Sequence, residues 1–163
     1  MHCVNSSIFF PTFNAQPWLS TANKVRLLHW KGYLDLAMYA SRRSPPLLLS
    51  EITDYTPAKP KEADWSGIFT RLWNFLDDGH AIKLARAVRN GELVGEAWEE
   101  KARKVGKENG AVGDGMKVKG KMWGKIGNMV IDSVEDTGAH WARSVGFEEA
   151  WVEYEDRPRK SQL

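Results

Sequence analysis

The sequence predicts an all-α fold, and three features carry that reading. No stretch alternates apolar and polar residues over the length of a strand, apolar residues recur at spacings of three and four from Met122 onward, and capping residues stand where such periodicity begins. Met1 to Trp18, interrupted by Pro11 and Pro17, reads as an irregular lead. Ser20 or Thr21 then caps a helix reaching about Ala40, with Val25, Leu28 and Leu36 as its stripe and Leu27, Leu34 and Met38 widening it. Arg42-Arg43-Ser44-Pro45-Pro46 ends it, because proline lacks the amide donor and restricts the residue before it.

Leu47 to Tyr55 is a short helix and Thr56 to Pro60 a loop. Asp64 caps a tryptophan-rich helix running from Trp65 to Leu76. Asp77 or Asp78 caps the next one, Gly79 permits a tight turn into it, and Asn90-Gly91 supplies a stop signal, with a helical extension through Lys104. A mobile Gly/Lys-rich loop follows near residues 105–121, where Gly106, Gly110, Gly113, Gly115 and Gly120 break any periodicity. Trp123, Ile126, Val130, Val134, Thr137 and Trp141 then mark the clearest amphipathic helix, closed by Gly146, with Phe147 and Trp151 stapling the tail to the core.

A chain of 163 residues, 42% apolar with eight tryptophans, is long enough for one domain, 1–163, with a real core, and its composition excludes disorder. The formal charge of +2 hides a local asymmetry, since Lys101 to Lys125 holds eight Lys/Arg against two Asp/Glu. Phosphate contacts from those lysines with stacking on Trp123 would be one use of the run, but glycine-rich lysine runs are usually solvated loops, so no nucleic-acid partner is expected. Cys3 cannot form an intrachain disulfide and reads as a small buried thiol in a reducing compartment. No membrane span or positively charged leader is visible, so a soluble, cytoplasmic protein is expected. No Gly-x-Gly-x-x-Gly follows a strand, which excludes a flavin or nicotinamide domain of the usual kind.

The candidate site is Asp77-Asp78-Gly79-His80-Ala81-Ile82-Lys83. His80 and Lys83, three residues apart, are neighbours on one helical face, and Ala87 leaves space over it. A histidine near a helix start is most often a packing residue and a lone lysine usually reaches for water; against that stand the apolar neighbours Trp65, Ile68, Phe69, Leu72, Trp73 and Leu76 on one side and Ile82, Leu84, Ala85 and Val88 on the other, which predict burial. His29 and His140 read as surface or packing residues, and Arg86 as a partner of Asp35 or of a substrate oxygen.

These residues resemble a motif of the questin oxidase-like family, fungal and bacterial oxidoreductases that include aflatoxin-pathway members. The resembling segments are Asp77 to Ala87 with the preceding Trp65 to Leu76 helix, His2-Cys-Val-Asn-Ser-Ser-Ile-Phe-Phe-Pro11, Arg26 to Arg42, and Trp141-Ala-Arg143-Ser-Val-Gly146-Phe147-Glu-Glu-Ala-Trp151. They occur in a shared order covering all but roughly residues 92–121. The resemblance implies a C-terminal portion of a longer, helical oxidoreductase that cleaves or inserts oxygen into aromatic polyketides such as anthraquinones. It further implies non-haem iron held by several histidines and a carboxylated lysine, with NADPH as a reductant of the full-length enzyme. Carried over by position, His2, His80 and Lys83 are the metal candidates and His80 and Lys83 the catalytic ones, with further histidines expected upstream of Met1.

The chemistry suits those residue types. Neutral imidazole binds iron well, a histidine-plus-carboxylate set leaves positions open for dioxygen, and a buried neutral lysine can take up carbon dioxide as an anionic carbamate ligand. Asp77 or Asp78 would orient His80. A fragment of such an enzyme, inactive alone, needs its missing N-terminal half or another partner over the apolar faces of the Trp65–Leu76 and Trp123–Trp141 helices. The competing reading is a non-catalytic truncated helical module.

Overall fold

The computed structural model describes residues 1–108, 116–136 and 141–155. Those residues are helical without a strand among them: α1 His2–Ser7, α2 Phe10–Ala15, α3 Thr21–Ala40, α4 Ser50–Thr53, α5 Trp65–Asn74, α6 His80–Glu108 and α7 Met122–Asp132, with 3-10 turns at Pro60–Glu62 and Glu148–Trp151. The all-α expectation therefore holds. Ser20 caps α3 by accepting from the Asn23 amide, and Asp64 caps α5 by accepting from the Gly67 amide.

The core lies where α5, α6 and α7 meet. Ile68 and Leu72 of α5, Ala81 and Ala85 of α6, Val130 and Ile131 of α7, and Val134 just beyond it are buried together, with Trp65, Phe69, Phe75, Leu84 and Trp141 at its edge. Small residues on α6 allow close approach by α7, and two glycines are filled by indoles. A Cβ on Gly127 would lie 2.7 Å from the Trp65 ring, and one on Gly91 would lie 2.7 Å from the Trp123 ring. A buried ionic group ties the same elements together. Arg71 Nη2 donates to Asp132 and Glu135 at 2.6 Å each, the Tyr55 hydroxyl donates to Asp132 at 2.6 Å, and Lys59 reaches Glu135 at 2.7 Å.

Five expectations change. The lead is two short helices rather than irregular, because Pro11 falls in the first turn of α2, where its missing amide costs nothing. Asn90-Gly91 does not stop α6, since the Trp123 ring seated on Gly91 supplies packing that outweighs glycine's weak helix preference. The helix runs on to Glu108, so the first residues of the expected mobile loop are helical, and residues 109–115 lie outside those described. The last helix ends at Asp132 rather than near Gly146: Asp132 and Glu135 are drawn to Arg71, and Trp141 stands at φ 62°, a left-handed conformation no helix can contain. The Leu47–Tyr55 helix shortens to Ser50–Thr53.

Beyond Trp141 the chain returns to the end of α3. An added Cβ at Gly146 would stand 1.9 Å from the Arg42 carbonyl oxygen, and the Arg43 guanidinium lies 5.2 Å from the Phe147 ring centroid. Phe147 thus meets the end of α3 rather than the core, and Trp151, expected to staple the tail with it, is exposed and donates its indole N–H to the Val145 carbonyl at 2.9 Å. No helix among the described residues is long and apolar enough to cross a membrane.

Candidate functional site

Asp77 and Asp78 divide the work at the start of α6. The Asp77 carboxylate accepts from the Gly79 amide at 2.7 Å and the Ala81 amide at 2.9 Å, satisfying donors that the helix leaves open. Gly79, at φ 84°, makes the turn that allows this. Asp78 is thereby left to receive the His80 ring, whose Nδ1–H donates to its carboxylate. That hydrogen bond, ahead of any other influence, holds the Asp78 carboxyl below the ordinary carboxylate range. It also turns His80 Nε2 away from the carboxylate as the free nitrogen, the arrangement usual for a metal-binding imidazole.

His2 reaches the same place from α1, which packs along α6. The His2 and His80 rings stand edge to face with centroids 5.7 Å apart. Two histidines far apart in the sequence are thus neighbours. Next to His2, Cys3 is half-buried, and burial followed by a hydrogen bond with Asp35 pushes its thiol above the ordinary range. Asp35 is also paired with Lys31 one turn earlier on α3. Sequence reasoning missed the Cys3–Asp35 contact, and no local signal announces a pairing across thirty-odd positions of chain.

Lys83 departs from the expected burial. It is exposed, and its amine lies 3.5 Å from where a Cβ on Gly79 would stand. Ala81, Ala85 and Val88 set the face of α6 that meets the core, and residue 83 lies off that face; on its own side of the helix only the smaller Ala87, one turn on, is covered. Arg86 is exposed, and Asp35 pairs with Lys31 rather than with it. His29 is exposed on α3, and His140 lies outside the described residues. No group of three or more His, Cys, Asp and Glu side chains placed to hold a metal occurs among the described residues. The donor chemistry at His2 and His80 fits iron, and the rest of a full ligand set would have to come from elsewhere.

The family model described as questin oxidase-like matches residues 1–88. The chain is 36% identical over 157 residues to a Baeyer-Villiger monooxygenase, AacuH, of Aspergillus aculeatus, covering 93% of this chain and 30% of that protein. It is 40% identical over 99 residues to a Baeyer-Villiger oxidase, ptaJ, of Pestalotiopsis fici, covering 61% of this chain and 22% of the relative. It is 39% identical over 99 residues to an oxidoreductase, AflY, of Aspergillus parasiticus, covering 61% and 20% respectively. The chain therefore spans a third or less of the length of these relatives, and α1, α3 and the His80 turn all fall within residues 1–88. With the family match extending over more than half of its 163 residues, this chain belongs to the questin oxidase-like family.

Proposed function

We propose that these residues form part of the active site of an oxygenase that carries out a Baeyer-Villiger-type insertion or ring cleavage on an aromatic polyketide such as an anthraquinone. The observation that carries the reading is the meeting of His2 and His80, 5.7 Å apart, with Asp78 behind the His80 ring. The relatives named as Baeyer-Villiger enzymes supply the reaction class. In such an insertion one atom of dioxygen enters between a carbonyl carbon and its neighbour, the other leaves as water, and NADPH provides the two electrons required.

A non-haem iron would be held here by His2 and His80 and would supply the activation of dioxygen. Asp78 fixes the His80 tautomer, presents Nε2 and keeps a negative charge beside the imidazole. Lys83, exposed in this chain, becomes an oxygen ligand as its carbamate only where further polypeptide buries it and favours the neutral amine. Secondary metabolism is the setting this reading implies.

The test is metal content and turnover in the complete assembly. His2→Gln, His80→Gln and Lys83→Ala should each lose iron and activity, with the lysine variant partly rescued by a small carboxylate. Lys83→Arg should fail as well, because a guanidinium stays cationic. Normal iron and turnover in Lys83→Arg would remove the carbamate from the proposal, and normal values in both histidine variants would remove the site. His29→Gln and His140→Gln should leave iron unchanged.

A further inference from the structure

The helix α3 is inside out with respect to its own chain. Its half-buried positions are Lys24, Leu27, Lys31, Asp35 and Met38, so three of five inward residues are charged. Apart from Leu27 and Met38 its large apolar residues face away: Val25 is 46% exposed and Leu36 65% on one side, Trp30 61% and Leu34 55% on the opposite side. No residue of this 20-residue helix is buried. A self-contained domain places such residues the other way round, and a helix apolar on opposite sides belongs to the interior of a larger body.

Gly32 makes a second, independent observation. It sits between Leu28 and Leu36 on the Val25 stripe, and a Cβ there would meet nothing within 4 Å. Gly67, Gly91 and Gly127 each have backbone or an indole ring where a Cβ would go, while Gly124 at the start of α7 shares the open surroundings of Gly32. Gly32 leaves a notch in the Val25 stripe into which another stretch of polypeptide can pack closely. On α5 and α7, Ile68, Leu72, Val130 and Ile131 are buried against each other and α6, while Trp73 on α5 and Leu76 just beyond it stay exposed at 84% and 94%.

We propose that α3 is an interior helix of the family fold and that its two apolar sides, with the Gly32 notch, are the docking surface for the polypeptide that questin oxidase-like proteins carry outside the third matched here. The relatives supply the length: this chain aligns over 93% of itself yet spans 30% of AacuH, and α3 lies inside residues 1–88. A second copy of this chain is the poorer occupant, because a two-fold interface covers one side of a helix and leaves the other in water. The proposal rests on packing and family membership, not on iron or catalysis.

The test is co-expression of the 163-residue chain with the portion of AacuH outside the aligned region, read by sedimentation and by amide hydrogen exchange across Thr21–Ala40. Expected are a one-to-one complex, α3 amides exchanging at least tenfold more slowly than in the chain alone, and loss of apolar-dye binding. Gly32→Trp and Leu36→Glu should weaken the complex at least tenfold. Gly32→Ala in the chain alone should hold or raise its melting temperature, which separates a blocked surface from a folding defect. Absence of a complex, a complex in which α3 exchanges as fast as before, or a homodimer of the chain alone that protects α3 would each overturn the proposal. None of these readouts uses metal or turnover, so they fail or succeed separately from the oxygenase reading.

Discussion

Arg71 shows how single residues decide the stability of this chain. Its guanidinium is buried between two carboxylates, Asp132 and Glu135, so removing it leaves two anions facing each other away from water. Arg71→Ala should cost about 3–5 kcal/mol, measured by chemical denaturation. The Arg71 hydrogen bond also holds the Glu135 carboxyl below its ordinary range. A carboxylate with a depressed folded-state pKa contributes stability above its unfolded pKa and loses it as pH falls through the folded one. Acid titration from about pH 5 downward should therefore destabilise the wild type progressively, and Glu135→Gln should flatten that dependence while lowering stability at neutral pH. At the candidate site the equivalent contact is Asp78 with His80, and Asp78→Asn should lower metal affinity in the complete protein by about 10–100-fold, measured by competition with a chelator. An unchanged affinity would mean that Asp78 does not orient the imidazole for metal.

At the scale of elements, glycine positions separate packing from propensity. Replacing Gly91 by alanine should gain about 1 kcal/mol from helix propensity, yet the added methyl meets the Trp123 ring at 2.7 Å, and overpacking of that kind costs about 1–3 kcal/mol. Gly91→Ala should therefore lower the melting temperature, and Trp123→Ala in the same chain should reverse the sign of the alanine effect. The same contact explains what the sequence hid. Ser20 and Asp64 were legible as caps because capping is local, involving an amide three residues on. The Asn90-Gly91 stop was misread because the ring that fills the notch comes from a helix thirty residues later. The end of α7 was misread for a related reason, since the carboxylates that turn the chain are held by an arginine more than sixty positions earlier. The site was legible as residue types, His80 beside Asp78, whereas the exposure of Lys83 depends on which face of α6 meets the core.

Over the whole molecule the chemistry and the packing point the same way. Two imidazoles on α1 and α6 are fewer donors than dioxygen activation at iron uses, and the uncovered apolar sides of α3 are more than a soluble monomer usually exposes. On the proposals above, both deficits would be met by polypeptide of the kind the relatives carry beyond the aligned third. Titration of the 163-residue chain with Fe(II) under anaerobic conditions should accordingly give weak binding that a chelator removes at once, abolished by His2→Gln or His80→Gln. Oxygen-electrode assays of the same sample with an anthraquinone and NADPH should show no consumption above the free-iron control. Adding the complementary polypeptide should tighten iron binding by at least two orders of magnitude, because a ligand set completed in place no longer has to be gathered from solution. Stoichiometric iron surviving dialysis in the chain alone, with substrate-dependent oxygen uptake, would show that His2, His80 and their neighbours suffice and that the covering of α3 serves stability rather than the site.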